Sequence, residues 1–187
     1  MMTFSELLHT RQSVRQYDSR PVEAEKLQTL VEAVRLAPSA CNSQPWTLIL
    51  VTEPSLKDQV AQATFSAAVS FNKFVPGAPV IAVLTLEKPA LTSKVGGLIK
   101  NREFPLIDIG VAAAQFCLQA AELGLGTCML GWFDEQRIKS LLHIPRRTRI
   151  GLLITLGYPA EGCTLRPKTR KDPAVMSRFN DYQERDF

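Results

Sequence analysis

Two polar segments near the start of the chain carry side chains suited to holding a ligand. Arg11, Ser13 and Arg15 alternate along the first segment, and the second is a turn of short polar residues running from Pro38 to Trp46. Two arginines and a hydroxyl offer forked and single donors, which suit a phosphate group. The turn can present amide groups to a flat heterocycle. Together the two segments indicate a nucleotide-like ligand.

A basic cluster near the C-terminus is a candidate for the same anion. It reads Pro167-Lys168-Thr169-Arg170-Lys171. Such a run either clamps a phosphate or is an ordinary solvated surface, and the residue types alone favour the surface.

The hydrophobic pattern predicts helices and strands that alternate through the middle of the chain. Apolar runs predict strands over 46–51, 79–86, 127–133 and 150–157. Helical spacing predicts a short helix at Phe4 to Leu8, a helix between Pro21 and Pro38, and a helix that begins at Pro54. A nearly all-apolar central helix should run from Pro105 to Leu123 and stop at Gly124, and Asp134 should cap a further helix. This order predicts an α/β or α+β domain, with four or five strands covered by helices on both faces.

Composition and missing motifs exclude several functional classes. The 22 basic residues of the 187-residue chain are balanced by 18 acidic ones without a long basic run, which argues against nucleic-acid binding. Neither G-x-G-x-x-G after a strand nor a Walker loop is present, so a Rossmann or P-loop site is disfavoured. The cysteines are too scattered for a zinc site and indicate a reducing, cytoplasmic setting: Cys41, Cys117, Cys128 and Cys163. We expect a soluble protein with no membrane span and no metal.

Four features in this order resemble the flavin-dependent nitroreductase family along essentially the whole chain. They are R-x-S-x-R near the start, A-P-S-x-x-N-x-Q-P-W after the first long helix, the apolar central helix, and P-K-x-R near the end. The resemblance implies an α+β three-layer sandwich around a mixed, mostly antiparallel sheet. It further implies one domain over residues 1–187, whose extended tail, 158–187, wraps the domain or adds to a partner's sheet.

The resemblance also implies a homodimer with FMN in clefts at the subunit interface. Arg11, Ser13, Arg15, Lys168 and Arg170 would hold the phosphate and ribityl chain. Gln12, at a position that is often basic in the family, belongs to the same cofactor-binding group. The partner chain would contribute Pro38, Ser39, Ala40 and Asn42. Asn72 resembles the asparagine at the pyrimidine edge of the ring, and Leu130-Gly131 stands where backbone N–H groups approach flavin N5.

The activity implied is ping-pong transfer of hydride from NADH or NADPH, through FMN, to a nitroaromatic or quinone. No catalytic side chain is expected, because flavin N5 carries the hydride. An FMN storage or sensor protein without turnover remains an alternative, as does a basic nucleic-acid-binding protein. Residues 87–104 should form a variable active-site loop or helix. There Lys94, Lys100 and Arg102 could meet a nucleotide phosphate or simply face solvent.

Overall fold

The computed structural model describes residues 2–66, 70–87, 103–180 and 182. Its α-helices are α1 (Phe4–Thr10), α2 (Ala24–Arg35), α3 (Pro54–Gln62), α4 (Phe104–Glu122), α5 (Glu135–Leu141) and α6 (Pro173–Met176). Its strands are β1 (Trp46–Val51), β2 (Val80–Leu86), β3 (Gly126–Leu130) and β4 (Arg149–Gly157). Lys94, Lys100 and Arg102, named above as candidate ligand contacts, lie outside the described residues.

The four strands form one sheet in the order β1-β2-β4-β3. All three ladders are antiparallel, and β1 and β3 are the edge strands. In the described part of the chain, the one parallel pairing is an isolated bridge between Ser13 and Thr127 on the β3 edge. The α+β class and the mostly antiparallel sheet are therefore confirmed.

Helices cover both faces of this sheet. Val80, Ala82 and Leu84 face a core built with α2 and α4. Ile81 and Val83, which alternate with them, face a second core built with α3 and α5. This alternation explains why β2 is apolar from Val80 to Leu84, since a strand buried on both faces has no polar side.

The central helix α4 packs one face into the first core. Its buried apolar residues include Ile109, Ala113 and Phe116, at helical spacing. Gly124 follows in the left-handed region at φ 73°, which a glycine adopts without steric cost. By length and composition α4 would suffice to cross a membrane. Its buried face and the buried Asp108 instead fit the core helix of a globular domain.

Capping residues in the sequence correctly predict most helix ends, but the third strand is shorter than predicted. Asp134 accepts a hydrogen bond from Arg137 N and caps α5, as the sequence predicts. The predicted strand over 127–133 is wrong beyond Leu130, where β3 ends. The chain leaves the sheet at Gly131 because Asp134 N donates to Ala63 O at 2.7 Å, which draws this segment toward the end of α3.

Candidate functional site

A cationic pocket lies where the segment after α1 meets the C-terminal tail. Its volume is about 260 Å³, and it is lined by Arg11, Gln12, Ser13, Arg15, Arg166, Pro167, Lys168 and Arg170. No Asp or Glu lines it, and no ion pair within the described part of the chain engages its cations. A cluster of forked and ammonium donors without a carboxylate has the composition of an anion site.

The edge strand β3 fixes the first half of this pocket. Arg11 N donates to Leu7 O at 2.9 Å, which ends α1, and Val14 N donates to Thr127 O at 2.9 Å. Val14 is buried against Gly126, where a Cβ would lie 2.6 Å from the valine side chain. The buried Val14 side chain and the backbone bridge to β3 hold this segment in place. The alternating residues Arg11, Ser13 and Arg15 therefore remain at the surface.

Arg166 completes the second half of the pocket, and the sequence patterns did not predict it. Its backbone N and its Nε donate to Gln12 Oε1 at 3.1 and 3.3 Å, and its terminal nitrogen donates to Ser13 O. Lys168 Nζ donates to Arg11 O. Since Arg166 lies only two residues before Lys168, extending the basic cluster toward the N-terminus could have included it, but nothing in a single sequence pairs it with Gln12.

The electrostatics of the pocket are those of cations held close together. Burial, followed by the positive charges of Arg11 and Arg170, lowers the pKa of Lys168. Burial also raises the pKa values of Cys117 and Cys128, which lie behind the pocket, so these thiols are protonated at neutral pH. An incoming anion would relieve the repulsion felt by Lys168.

Arg15 links this pocket to the segment that contains Asn72. Its guanidinium carbon lies 5.9 Å from the centroid of the Phe74 ring. Asn72 is buried, and its Nδ2 donates to Thr64 O and to Trp132 O, both at 3.1 Å. The amide therefore ties the end of α3 to the loop after β3, and these bonds use both of its N–H donors.

Leu130 and Gly131 lie at the far end of the same edge strand. Leu130 is buried, and a Cβ built on Gly131 would have no heavy atom within 4 Å from the described residues other than Gly131 and its two neighbours in the chain. At the rise of an antiparallel strand, about 13 Å separates Thr127, the bridge partner of Ser13, from Gly131. The β3 edge thus carries an anion pocket at one end and an open backbone position at the other.

The polar turn at Pro38 to Gln44 is shaped by unusual backbone angles. Cys41, Asn42 and Gln44 have φ values of 53°, 50° and 44°. Ala40 N donates to Asp108 Oδ1 at 3.0 Å, and Gln44 N donates to Ser39 Oγ at 2.9 Å. Three non-glycine residues in the left-handed region within four positions mark a segment that the surrounding structure holds in place.

The structure does not bring this turn and the cationic pocket together within one chain. Ala40 contacts Asp108 near the start of α4, whereas Arg11 shares a cavity with Ala121 and Gly124 at its end. At about 1.5 Å of rise per residue, Asp108 and Ala121 are about 20 Å apart. One chain therefore presents the two predicted halves of the site at opposite ends of its central helix.

A larger cavity of about 600 Å³ lies beside α2 and the turn at Val75–Gly77. It is lined mostly by apolar residues, and none of the predicted site residues contributes to it. Its buried cation, Lys57, already binds Pro76 O and the Asp58 carboxylate. The cationic pocket therefore remains the better candidate for a charged ligand.

Comparisons with known proteins point to a single family. The model of the nitroreductase family matches residues 8–158. A provisionally named NADH dehydrogenase/NAD(P)H nitroreductase of Archaeoglobus fulgidus is 30% identical over 83% of this chain and 84% of its own length. A nitroreductase family protein of Clostridium novyi is similar at 29% identity and a TM-score of 0.75, with 86% of this chain and 87% of that chain covered. An FMN-dependent nitroreductase of Clostridium difficile is similar at 25% identity and a TM-score of 0.74, with 94% and 98% covered.

Proposed function

The chain belongs to the nitroreductase family, and we propose on this basis that it is an FMN-dependent NAD(P)H oxidoreductase. The observation that carries the proposal is the carboxylate-free cationic pocket at one end of the β3 edge, with an unobstructed glycine at the other. A phosphate needs the first feature, and a flat ring that approaches the backbone needs the second. The names of the Archaeoglobus and Clostridium difficile proteins support the nicotinamide and the flavin, respectively.

The residues present fit FMN at each end of the strand edge. Arg11, Ser13, Arg15, Lys168 and Arg170 would hold the phosphate and ribityl chain. Gln12 lines the same pocket and would belong to the cofactor site as well, while its carboxamide pairs with the tail at Thr164 and Arg166. Leu130 and Gly131 would border the ring. Asn72, whose Nδ2 holds the loop after them in place, would face the pyrimidine edge of the ring.

FMN, when bound, would take hydride from NADH or NADPH and pass it to an electron-poor acceptor such as a nitroaromatic or quinone, in ping-pong order. The protein's own part is to bind the cofactor, neutralise its phosphate and exclude water from the ring. We assign no acid or base side chain to this reaction.

We further propose a homodimer in which each site uses both chains. The separation of about 20 Å along α4 supports this, because the turn residues Pro38, Ser39, Ala40 and Asn42 lie far from the pocket of their own chain. Exposed apolar side chains on α1, just after α2 and on α4 offer a surface for a second copy: Phe4, Leu36, Leu106 and Ile107. Phe179 and Tyr182 of the tail are also exposed, and β1 is an edge strand that a partner's tail could extend.

The remaining assignments concern the setting of the enzyme. We propose that residues 1–187 are one domain and that the protein acts in the cytoplasm on small molecules. The four cysteines are free, which suits a reducing compartment.

A direct test begins with uptake of FMN by the purified protein. Anaerobic reduction of the FMN-loaded protein by NADH and by NADPH, then reoxidation by a panel of nitroaromatics and quinones, would reveal donor and acceptor. Failure to retain FMN would refute the proposal. Retention without turnover across the panel would favour the alternative, a flavin storage or sensor protein.

Two substitutions test the phosphate assignment within the same experiment. Arg15→Ala and Arg170→Ala should each weaken FMN retention about tenfold or more, since each removes a charge-assisted donor. Arg147→Ala, an exposed arginine outside the pocket, is the matched control. Unchanged retention in both pocket variants would refute the assignment.

A further inference from the structure

Gln12 forms a clasp between the two halves of the cationic pocket. Its Nε2 donates to Thr164 O at 3.0 Å, and its Oε1 accepts the backbone N–H and the Nε–H of Arg166 at 3.1 and 3.3 Å. Arg166 also donates from its terminal nitrogen to Ser13 O. One carboxamide and one guanidinium thus fasten residues 164–166 to residues 12 and 13.

The clasp determines where the next cations of the tail lie. Lys168 follows Arg166 by two residues and donates to Arg11 O, and Arg170 lines the same pocket. Thr164, Leu165, Arg166 and Pro167 are exposed, so little apolar burial holds this part of the tail in place. Its position therefore depends on these hydrogen bonds.

The same arrangement carries an electrostatic cost. Five cationic side chains share a pocket without a carboxylate, and like charges at such separations repel one another. Without the clasp, repulsion would favour a tail that swings its cations away from Arg11 and Arg15. An anion in the pocket would act in the opposite direction.

We propose that Gln12 and Arg166 are positioning residues that hold the tail over the phosphate of FMN and so give the protein its preference for the phosphorylated flavin over riboflavin. This rests on the function proposed above. The two residues act through Lys168 and Arg170 rather than on the ring. Losing the clasp should therefore weaken binding of FMN and leave binding of riboflavin, which has no phosphate, almost unchanged.

The test compares the dissociation constants of FMN and riboflavin, measured by quenching of flavin fluorescence. For Gln12→Ala and Arg166→Ala we expect the ratio of FMN to riboflavin affinity to fall about tenfold. Arg166→Lys keeps the positive charge but loses the forked donors of the guanidinium. Its ratio of FMN to riboflavin affinity should therefore lie between those of the wild type and Arg166→Ala. Arg147→Ala removes an exposed arginine outside the pocket and should keep the wild-type ratio.

A second readout needs no flavin. In the flavin-free protein, inorganic phosphate should protect residues 164–170 from limited proteolysis, and Arg166→Ala should lose most of this protection. If Arg166→Ala does not fold, both the affinity ratio and the protection from proteolysis can be measured on Gln12→Ala and Arg166→Lys.

The outcomes separate this inference from the proposed function. Wild-type protein that binds neither flavin would overturn the proposed function itself. A different outcome would refute only the role of the clasp. In that outcome the wild-type protein prefers FMN, and the variants either keep that preference or lose affinity for both flavins equally.

Discussion

Ser13 and Thr127 form a bridge that fixes the cationic segment to the edge of the sheet. The neighbouring Val14 N donates to Thr127 O at 2.9 Å, and the Val14 side chain is buried against Gly126. Through this bridge, the position of the segment that we propose binds phosphate depends on the packing of Val14 against Gly126.

Gly126→Ala should therefore damage both stability and cofactor binding. A Cβ at this position would lie 2.6 Å from Val14 Cγ2, so the valine and its backbone bridge must shift. We expect the free energy of unfolding to fall by about 1–3 kcal/mol, as for other overpacked cores, and FMN to bind more weakly. Urea denaturation and flavin titration measure the two effects. Wild-type stability in this variant would show that the bridge tolerates displacement.

Gly131→Ala should weaken flavin binding without changing the free energy of unfolding. Apart from Gly131 and its two neighbours, no heavy atom of the described residues lies within 4 Å of a Cβ at this position. We therefore expect the free energy of unfolding to be unchanged within about 0.5 kcal/mol. A flavin ring close to this backbone would collide with the new methyl group. Affinity should then fall similarly for FMN and riboflavin, because the ring is common to both. Unaltered affinity for both flavins would contradict the placement of the ring at Leu130 and Gly131.

The affinity for FMN should fall at alkaline pH through Lys168. Its pKa is lowered in the free protein, and a bound phosphate favours the charged form, so binding requires the proton that rising pH removes. The fall should begin below the ordinary lysine pKa of about 10.4. The ratio of FMN to riboflavin affinity isolates this effect, because the ring titrates equally in both ligands. Lys168→Arg should abolish the alkaline fall, and a fall that persists in this variant would exclude Lys168 as its source.

Ile107→Glu should produce a monomer that does not retain FMN. Ile107 is 56% exposed on α4, one residue from Asp108, which holds the turn at Ala40. A carboxylate there would be desolvated in a subunit interface at a cost of several kcal/mol. Sedimentation velocity and flavin content report the two outcomes, with Gln136→Glu on the exposed side of α5 as control. A dimer of normal flavin content would place the interface elsewhere.

Much of the secondary structure was predictable because its signals are local. Pro54 at the start of α3, Asp134 at the cap of α5 and Gly124 after α4 act on their own few residues of backbone. The end of β3 was not predictable in this way. Leu130 to Phe133 reads as a continuing apolar run, and the strand stops because Asp134 N binds a carbonyl at the end of α3.

Residue types and their order were enough to indicate the available chemistry: the alternating Arg11, Ser13 and Arg15, the polar turn, the basic tail, and an order of motifs that identified the family. Which of these groups meet became clear from the folded chain. Gln12 and Arg166 are joined across most of the chain, and Ala40 and Arg11 are kept apart by the length of α4. Composition and spacing establish which donors are present and how the local backbone folds. The partners of each donor depend on the long-range packing of the sheet and the central helix, which local propensity does not encode.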